Sequence, residues 1–255
     1  MEIYVQQFII FILLFIRIAS MIIAAPVFGH QNVPLQIKAA LSVFLAFVMY
    51  ALVQHTFSLG SITLIGLVLL GLKEIVAGLA IGFMMTVIFA GIRYAGDLIG
   101  IDMGFSMAMM YDQENNASFP VLGELLYLFL LMIFLLLNGH HFMLEALRGS
   151  YAAIPIGTWV VTESVVNQVV AITGQIFIIA VKIAAPILVS LFLTNISLGI
   201  LNKVMPQMNI FGIIFSLKIT VGMIVLSATI PVIVFVFKKM LTVFETSIIE
   251  LIRMM

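Results

Sequence analysis

The stretch IVAGLAIGFMMTVIFAGI, residues 75 to 92, decides the fold class of this chain. It runs for eighteen residues without a charge, and its apolar positions show none of the alternation that a half-buried strand needs. A bilayer crossing takes about 20 such residues in a helix, because every backbone N–H and C=O must be satisfied inside the segment once water is absent. Small residues recur at every fourth position, Gly78, Gly82, Thr86 and Ala90, and again beyond the stretch at Gly96, Gly100 and Gly104. That spacing puts them along one helical face and lets another backbone approach closely. The face fits packing within the chain and contact with another subunit equally well.

Composition extends the reading to all 255 residues: 64% are hydrophobic, 9% are charged, and the mean hydropathy is +1.31. Soluble domains carry roughly 25% charged residues. The expected fold is therefore all-α, a polytopic membrane-associated helical protein. Eleven basic residues balance eleven acidic ones, which leaves no electrostatic footprint for nucleic acid. The absence of cysteine excludes disulfide, iron–sulfur and thiolate–zinc chemistry. The N-terminus reads as a retained first helix and not a secretory signal, since Glu2 stands where a basic region is needed and Arg17 falls before the small pair Ala24-Ala25.

Apolar runs occupy about 3–25, 35–53, 62–92, 125–137, 165–194 and 211–237. Arg17, Lys38, Lys73 with Glu74, Lys182 and Lys218 lie inside them, and each would cost about 2.5 to 3.5 kcal/mol at a bilayer centre. They must face protein or water. Lys38 and Lys218, near segment starts, can snorkel to an interface. Arg17, Lys182 and the neighbours Lys73 and Glu74 lie deeper and call for buried pairing within an assembly or along an aqueous path; Asp102 is a further candidate for a buried network. Arg93 and Asp97, four apart, are expected to pair on one helix face. Lys238-Lys239 directly after the last apolar run places that end in the cytoplasm. Beyond them Leu241, Phe244, Ile248, Leu251 and Met255 recur at spacings of three and four, so 238–255 is expected to be an amphipathic helix on a membrane surface or a partner.

The polar interruption GFSMAMMYDQENNASFP, residues 104 to 120, is the chain's most unusual segment. Met103, Met107, Met109 and Met110 are unbranched and polarizable and can repack around something that moves. Phe105, Tyr111 and Phe119 add bulk. Residues 112 to 116 are too polar for lipid, and Pro120 suits the start of the next helix. Pattern alone reads this as a connecting loop, although a loop of this composition also suits a deformable seal across an aqueous path. Catalysis is not expected. Tyr94 stands where a G-x-G-D protease motif needs Gly, and no zinc helix, nucleophile elbow or phosphate loop is present. His140 and His141, adjacent on a helix, point about 100° apart and are poorly placed to share a metal, so a packing or capping role is expected of them. No cofactor and no metal are called for.

Five segments carry a family resemblance: RIASMIIAAPVFGHQNVPLQIK (17–38), GDLIGIDMGF (96–105), LNGHH (137–141), SYAAIPIG (150–157) and APILVSLFLTNISLGILNKVMPQMNIF (185–211). In this order and spacing the chain resembles the FliR family, the R subunit of the flagellar type III export gate, whose near relatives serve injectisomes. The resemblance implies a non-enzymatic gate subunit for unfolded flagellar proteins in the bacterial inner membrane, within the basal body. It further implies assembly with P and Q subunits, a switch protein at the cytoplasmic side and a large export subunit. It implies a P-like part over 1–160 and a Q-like helical hairpin over 161–255, with its turn near 203–209 at Pro206, Gln207 and Asn209. It makes 104–120 a channel plug, with Phe105, Met107, Met109, Met110, Tyr111 and Phe119 in the seal and Asp112 and Asn116 shaping the loop. Injectisome export is the alternative within the family. From another class, a small-solute secondary transporter would often show broken helices at matching positions in repeated halves, and no convincing repeat is visible.

Overall fold

A computed structural model describes residues 2–30, 32–53, 63–105, 121–158, 163–205 and 210–254. The described residues form seven helices and no strand: α1 (Glu2–Ala24), α2 (Leu35–Leu52), α3 (Leu64–Met103), α4 (Val121–Leu136), α5 (Gly139–Ala153), α6 (Glu163–Val204) and α7 (Ile210–Met254). The protein is all-α, as its composition requires. Five of these helices are long and apolar enough to cross a membrane, or six if α4 and α5 together make one broken span.

Local chemistry sets the breaks. Pro34 stands at the N-cap of α2, where a missing N–H costs nothing, and Val53 leaves the helix in an extended conformation. Asn138 separates α4 from α5 in the left-handed conformation at φ 58°, which asparagine tolerates better than most residues, and its carbonyl accepts the first N–H of the next turn from His141 at 2.9 Å. Pro186 and Pro231 lie inside α6 and α7, where the nearby hydroxyls of Ser190 and Thr229 donate to helix carbonyls.

The helices contribute to two compact units. Unit 1 comprises Met1–Val87, Phe134–Thr173 and Thr242–Met255, and unit 2 comprises Ile88–Ile133 and Gly174–Leu241. In unit 1, α1 packs on α2, with Phe11 edge-on to Tyr50 at 6.3 Å, and lies against α3 along the glycine face. A Cβ on Gly78 would collide with the Ser20 hydroxyl and the Arg17 carbonyl, and one on Gly82 would sit 2.6 Å from the Met21 carbonyl. Thr86, next on that face, donates its hydroxyl to the Ala24 carbonyl. In unit 2, Phe89 meets Tyr127 and Phe237 edge-on at 5.7 and 5.8 Å, and Gly96 faces the backbone of Gly123, which a Cβ would approach to 2.5 Å.

Two elements differ from the pattern of apolar runs. α5 has no counterpart among them because it carries exposed His141, Glu145 and Arg148 opposite a buried Met143, Ala146, Leu147 and Tyr151, with His140 half-buried. α7 passes without a break through Lys238 and Lys239, and the stripe expected to meet a membrane surface or partner is covered within the protein at Phe244 and Ile248. Lateral exposure is uneven. Of the most apolar stretch of each helix, 61% is buried in α3 but only 17% in α2 and 17% in α7.

Candidate functional site

The densest polar chemistry lies in unit 1, where Arg17 of α1 is wholly buried beside Glu74 of α3. Arg17 Nε donates to Glu74 Oε2 at 2.5 Å. Arg17 Nη1 reaches the Ile154 carbonyl at 3.2 Å and the Ser150 carbonyl and hydroxyl at 3.4 Å, and the guanidinium lies 4.5 Å above the Tyr151 ring. The second carboxylate oxygen of Glu74 accepts the Gly157 N–H at 2.8 Å, and the Tyr151 hydroxyl donates to the Leu14 carbonyl at 3.2 Å. One ion pair thus ties α1, α3, the end of α5 and the turn after it. Its value is conditional. Removing one partner of a buried pair leaves an uncompensated charge and costs about 3–5 kcal/mol, whereas replacing both by apolar groups is often neutral.

Lys73 touches this cluster only at its edge, through Gly157. It is half-buried and donates to the Gly157 carbonyl at 3.4 Å, while Glu74, one residue on, turns to Arg17. Adjacent helical residues point about 100° apart, and the neighbours meet different groups: Lys73 the Gly157 carbonyl, Glu74 the Gly157 N–H and Arg17. The Arg93–Asp97 pairing expected from spacing is replaced in the same way. Arg93 Nη2 lies 3.1 Å from Glu124 Oε2 of α4, and Asp97 Oδ1, buried and without a hydrogen-bond partner among the described residues, packs onto Gly123.

The third cluster, in unit 2, surrounds the end of α3. Gly104 takes φ +92°, a conformation that stops the helix, and its N–H returns to the Ile101 carbonyl at 3.1 Å. Phe105 follows and is half-buried. Asp102 is engaged through its backbone, its carbonyl accepting Lys218 Nζ of α7 at 3.2 Å. Gly100 has ordinary contact with Leu122, 3.7 Å from where a Cβ would lie. Lys182 is exposed. Met107, Met109, Met110, Tyr111, Asp112, Asn116 and Phe119 lie outside the described residues, as do Pro206, Gln207 and Asn209.

Glu124, Ser150, Tyr151, Gly157 and Lys218 are the site residues that pattern reading missed or undervalued. A lone Glu in the first turn of an apolar helix was the available signal for Glu124; Lys218 stood out only as a charge in an apolar run, and Ser150, Tyr151 and Gly157 only as members of the segment 150–157. His140 and His141 have ring centroids 4.2 Å apart, and the described residues contain no group of three side chains able to hold a metal ion.

An all-α chain with five helices able to span a bilayer, whose buried charges join helix to helix, is a polytopic membrane protein. The family model for bacterial export proteins, family 1, matches residues 8–243, and the chain belongs to that family. Its relatives are flagellar biosynthetic proteins FliR. It is 32% identical to the FliR of Bacillus subtilis (strain 168) over 226 residues, covering 88% of this chain and 86% of the relative. It is 30% identical to that of Escherichia coli (strain K12), covering 86% and 83%, and 31% identical to that of Pectobacterium carotovorum subsp. carotovorum, covering 86% and 83%. The protein is a FliR-family membrane component of the flagellar export machinery.

Proposed function

We propose that this chain is a non-enzymatic core subunit of the flagellar type III export gate, which forms and seals the channel for unfolded flagellar proteins in the bacterial inner membrane. The observation that carries the reading is the match to flagellar export relatives over nearly the whole chain. Two features of the fold support it. The apolar stretches of α2 and α7 are mostly uncovered, which suits helices that meet lipid or other subunits. α3, the best-covered helix, ends abruptly at Gly104 and hands the chain to the methionine-rich segment.

In this reading 1–160 is the P-like part and 161–255 the Q-like hairpin, turning near 203–209. P and Q subunits complete the gate, the switch protein lies at its cytoplasmic side and the large export subunit lies next to it. Proton motive force and a separate ATPase supply the energy. Phe105, Met107, Met109, Met110, Tyr111 and Phe119 close the path, with Asp112 and Asn116 shaping the loop. Methionine suits a closure that must yield to many side chains and then reseal, because its three rotatable bonds and polarizable sulfur adapt to irregular surfaces. The flagellar branch is favoured over the injectisome branch because the relatives named above are flagellar proteins.

Deletion of residues 106–118 tests the seal. The assembled gate is expected to form and to leak small ions across the membrane, measured as conductance. Unchanged conductance in an assembled deletion mutant would overturn the plug.

A further inference from the structure

The end of α3 is held from one side by three residues of α7. Lys218 Nζ donates to the Asp102 carbonyl at 3.2 Å. That carbonyl is among the last four of α3, which have no acceptor role inside the helix, and a cation there also meets the negative end of the helix dipole. One turn further along α7, Gly222 opens a notch for Met103: a Cβ there would come within 2.6–2.9 Å of the methionine's Cε, Sδ and Cγ, and Met103 is fully buried. One turn the other way, the Phe215 ring lies against Gly104, 3.3 Å from where a Cβ would project. Phe215, Lys218 and Gly222 are spaced three and four apart, so they share one face of α7. That face grips three consecutive residues, Asp102, Met103 and Gly104.

We infer that Lys218 is a positioning residue that latches the exit of α3 and so fixes the point at which the chain enters the 104–120 segment, with Phe215 and Gly222 as its seat. This rests on the plug reading for its functional meaning, though the latch itself stands on the described geometry. A simple snorkelling lysine would direct its ammonium to water; this one is half-buried and caps a helix of another part of the chain. The same α7 face lies only a few residues beyond 206–209, so displacing the start of α7 would release the α3 exit, and an arrested α3 exit would hold the start of α7.

The chain has no cysteine, which makes a single introduced thiol a clean reporter. Phe105→Cys is placed in the full chain, co-expressed with its gate subunits and labelled with a membrane-permeant maleimide, with Ile101→Cys as a reference on the exposed side of α3. Lys218→Met keeps the length of the stem and removes the charge. It is expected to raise labelling at position 105 about tenfold, the factor carried by one hydrogen bond to a charged group, while leaving position 101 unchanged. Lys218→Arg should restore the slow rate. Gly222→Ala, which pushes on Met103 from the same face of α7, should give a smaller rise in a gate that still assembles. Equal labelling in the Lys218→Met and unmodified backgrounds would overturn the latch, as would equal acceleration at positions 101 and 105. Conductance separates the two ideas: a leak on deleting 106–118 but none with Lys218→Met and unchanged labelling leaves the plug standing and removes the latch. Accelerated labelling without any leak from the deletion keeps the latch and removes the plug.

Discussion

Arg17 and Glu74 show what single residues contribute. Each is an expensive charge in an apolar run, and each is tolerated because the other neutralises it at 2.5 Å with no solvent access. Arg17→Met alone should lower the stability of the purified complex by about 3–5 kcal/mol, and Glu74→Leu alone by a similar amount. The double substitution should cost much less than their sum, and a thermal or denaturant double-mutant cycle in detergent measures the difference. Additive losses would mean that the two charges do not depend on each other. Lys73→Met should cost no more than about 1 kcal/mol, because its contact is a long hydrogen bond at a half-buried position. The sequence marked Arg17 and Glu74 as charges that needed burial. It could not pair them, since 57 residues separate them and local spacing offers only Arg93 with Asp97. Spacing along one helix describes only neighbours on that helix, while partners on a second helix depend on how the two pack.

Among the elements, α3 is the one on which the others are organised. Its glycines are not interchangeable. Gly78 faces the Arg17 carbonyl and the Ser20 hydroxyl, and Gly82 faces the Met21 carbonyl, so a side chain at either must push α1 away. Gly78→Leu should therefore cost more than the roughly 1–3 kcal/mol of ordinary overpacking, because backbone must move. Gly174→Ala on α6 has open space around it and should stabilise the isolated chain by about 0.5–1 kcal/mol through the helix propensity of alanine. Thermal unfolding of the two variants, compared with the unmodified chain, checks both signs. The four-residue spacing disclosed the face; that α1 fills it at Gly78 and Gly82 is visible only once the helices are placed. α5 was illegible for a different reason. Its apolar positions are diluted by His141, Glu145 and Arg148 on the other side and by His140 between them, so no continuous apolar run announces it.

At the scale of the whole molecule, the wide uncovered apolar surfaces of α2 and α7 suit contact with lipid or with other subunits, and the proposed gate requires the second for part of them. Co-expressed with P-like and Q-like subunits, the chain should elute as one hetero-oligomer, and size-exclusion chromatography with mass measurement checks this. A stable, monodisperse monomer that ignores those subunits would argue for the transporter reading instead. Sequence by itself determined the class: a chain with 9% charge and eighteen-residue uncharged runs can satisfy its backbone in a membrane only as helices, and that requirement is local to each segment. It also singled out Arg17 and Glu74 as charges that need burial and Gly78 and Gly82 as points of close approach, alongside Lys182, which is exposed, and Gly100, which has only ordinary contact. Only the tertiary structure decided which groups meet, placing Arg17 against Glu74, Arg93 against Glu124 and Lys218 under the end of α3. The physical reason is that burial makes a charge's cost a property of its position, while the relief of that cost depends on a partner that arrives from elsewhere in the chain.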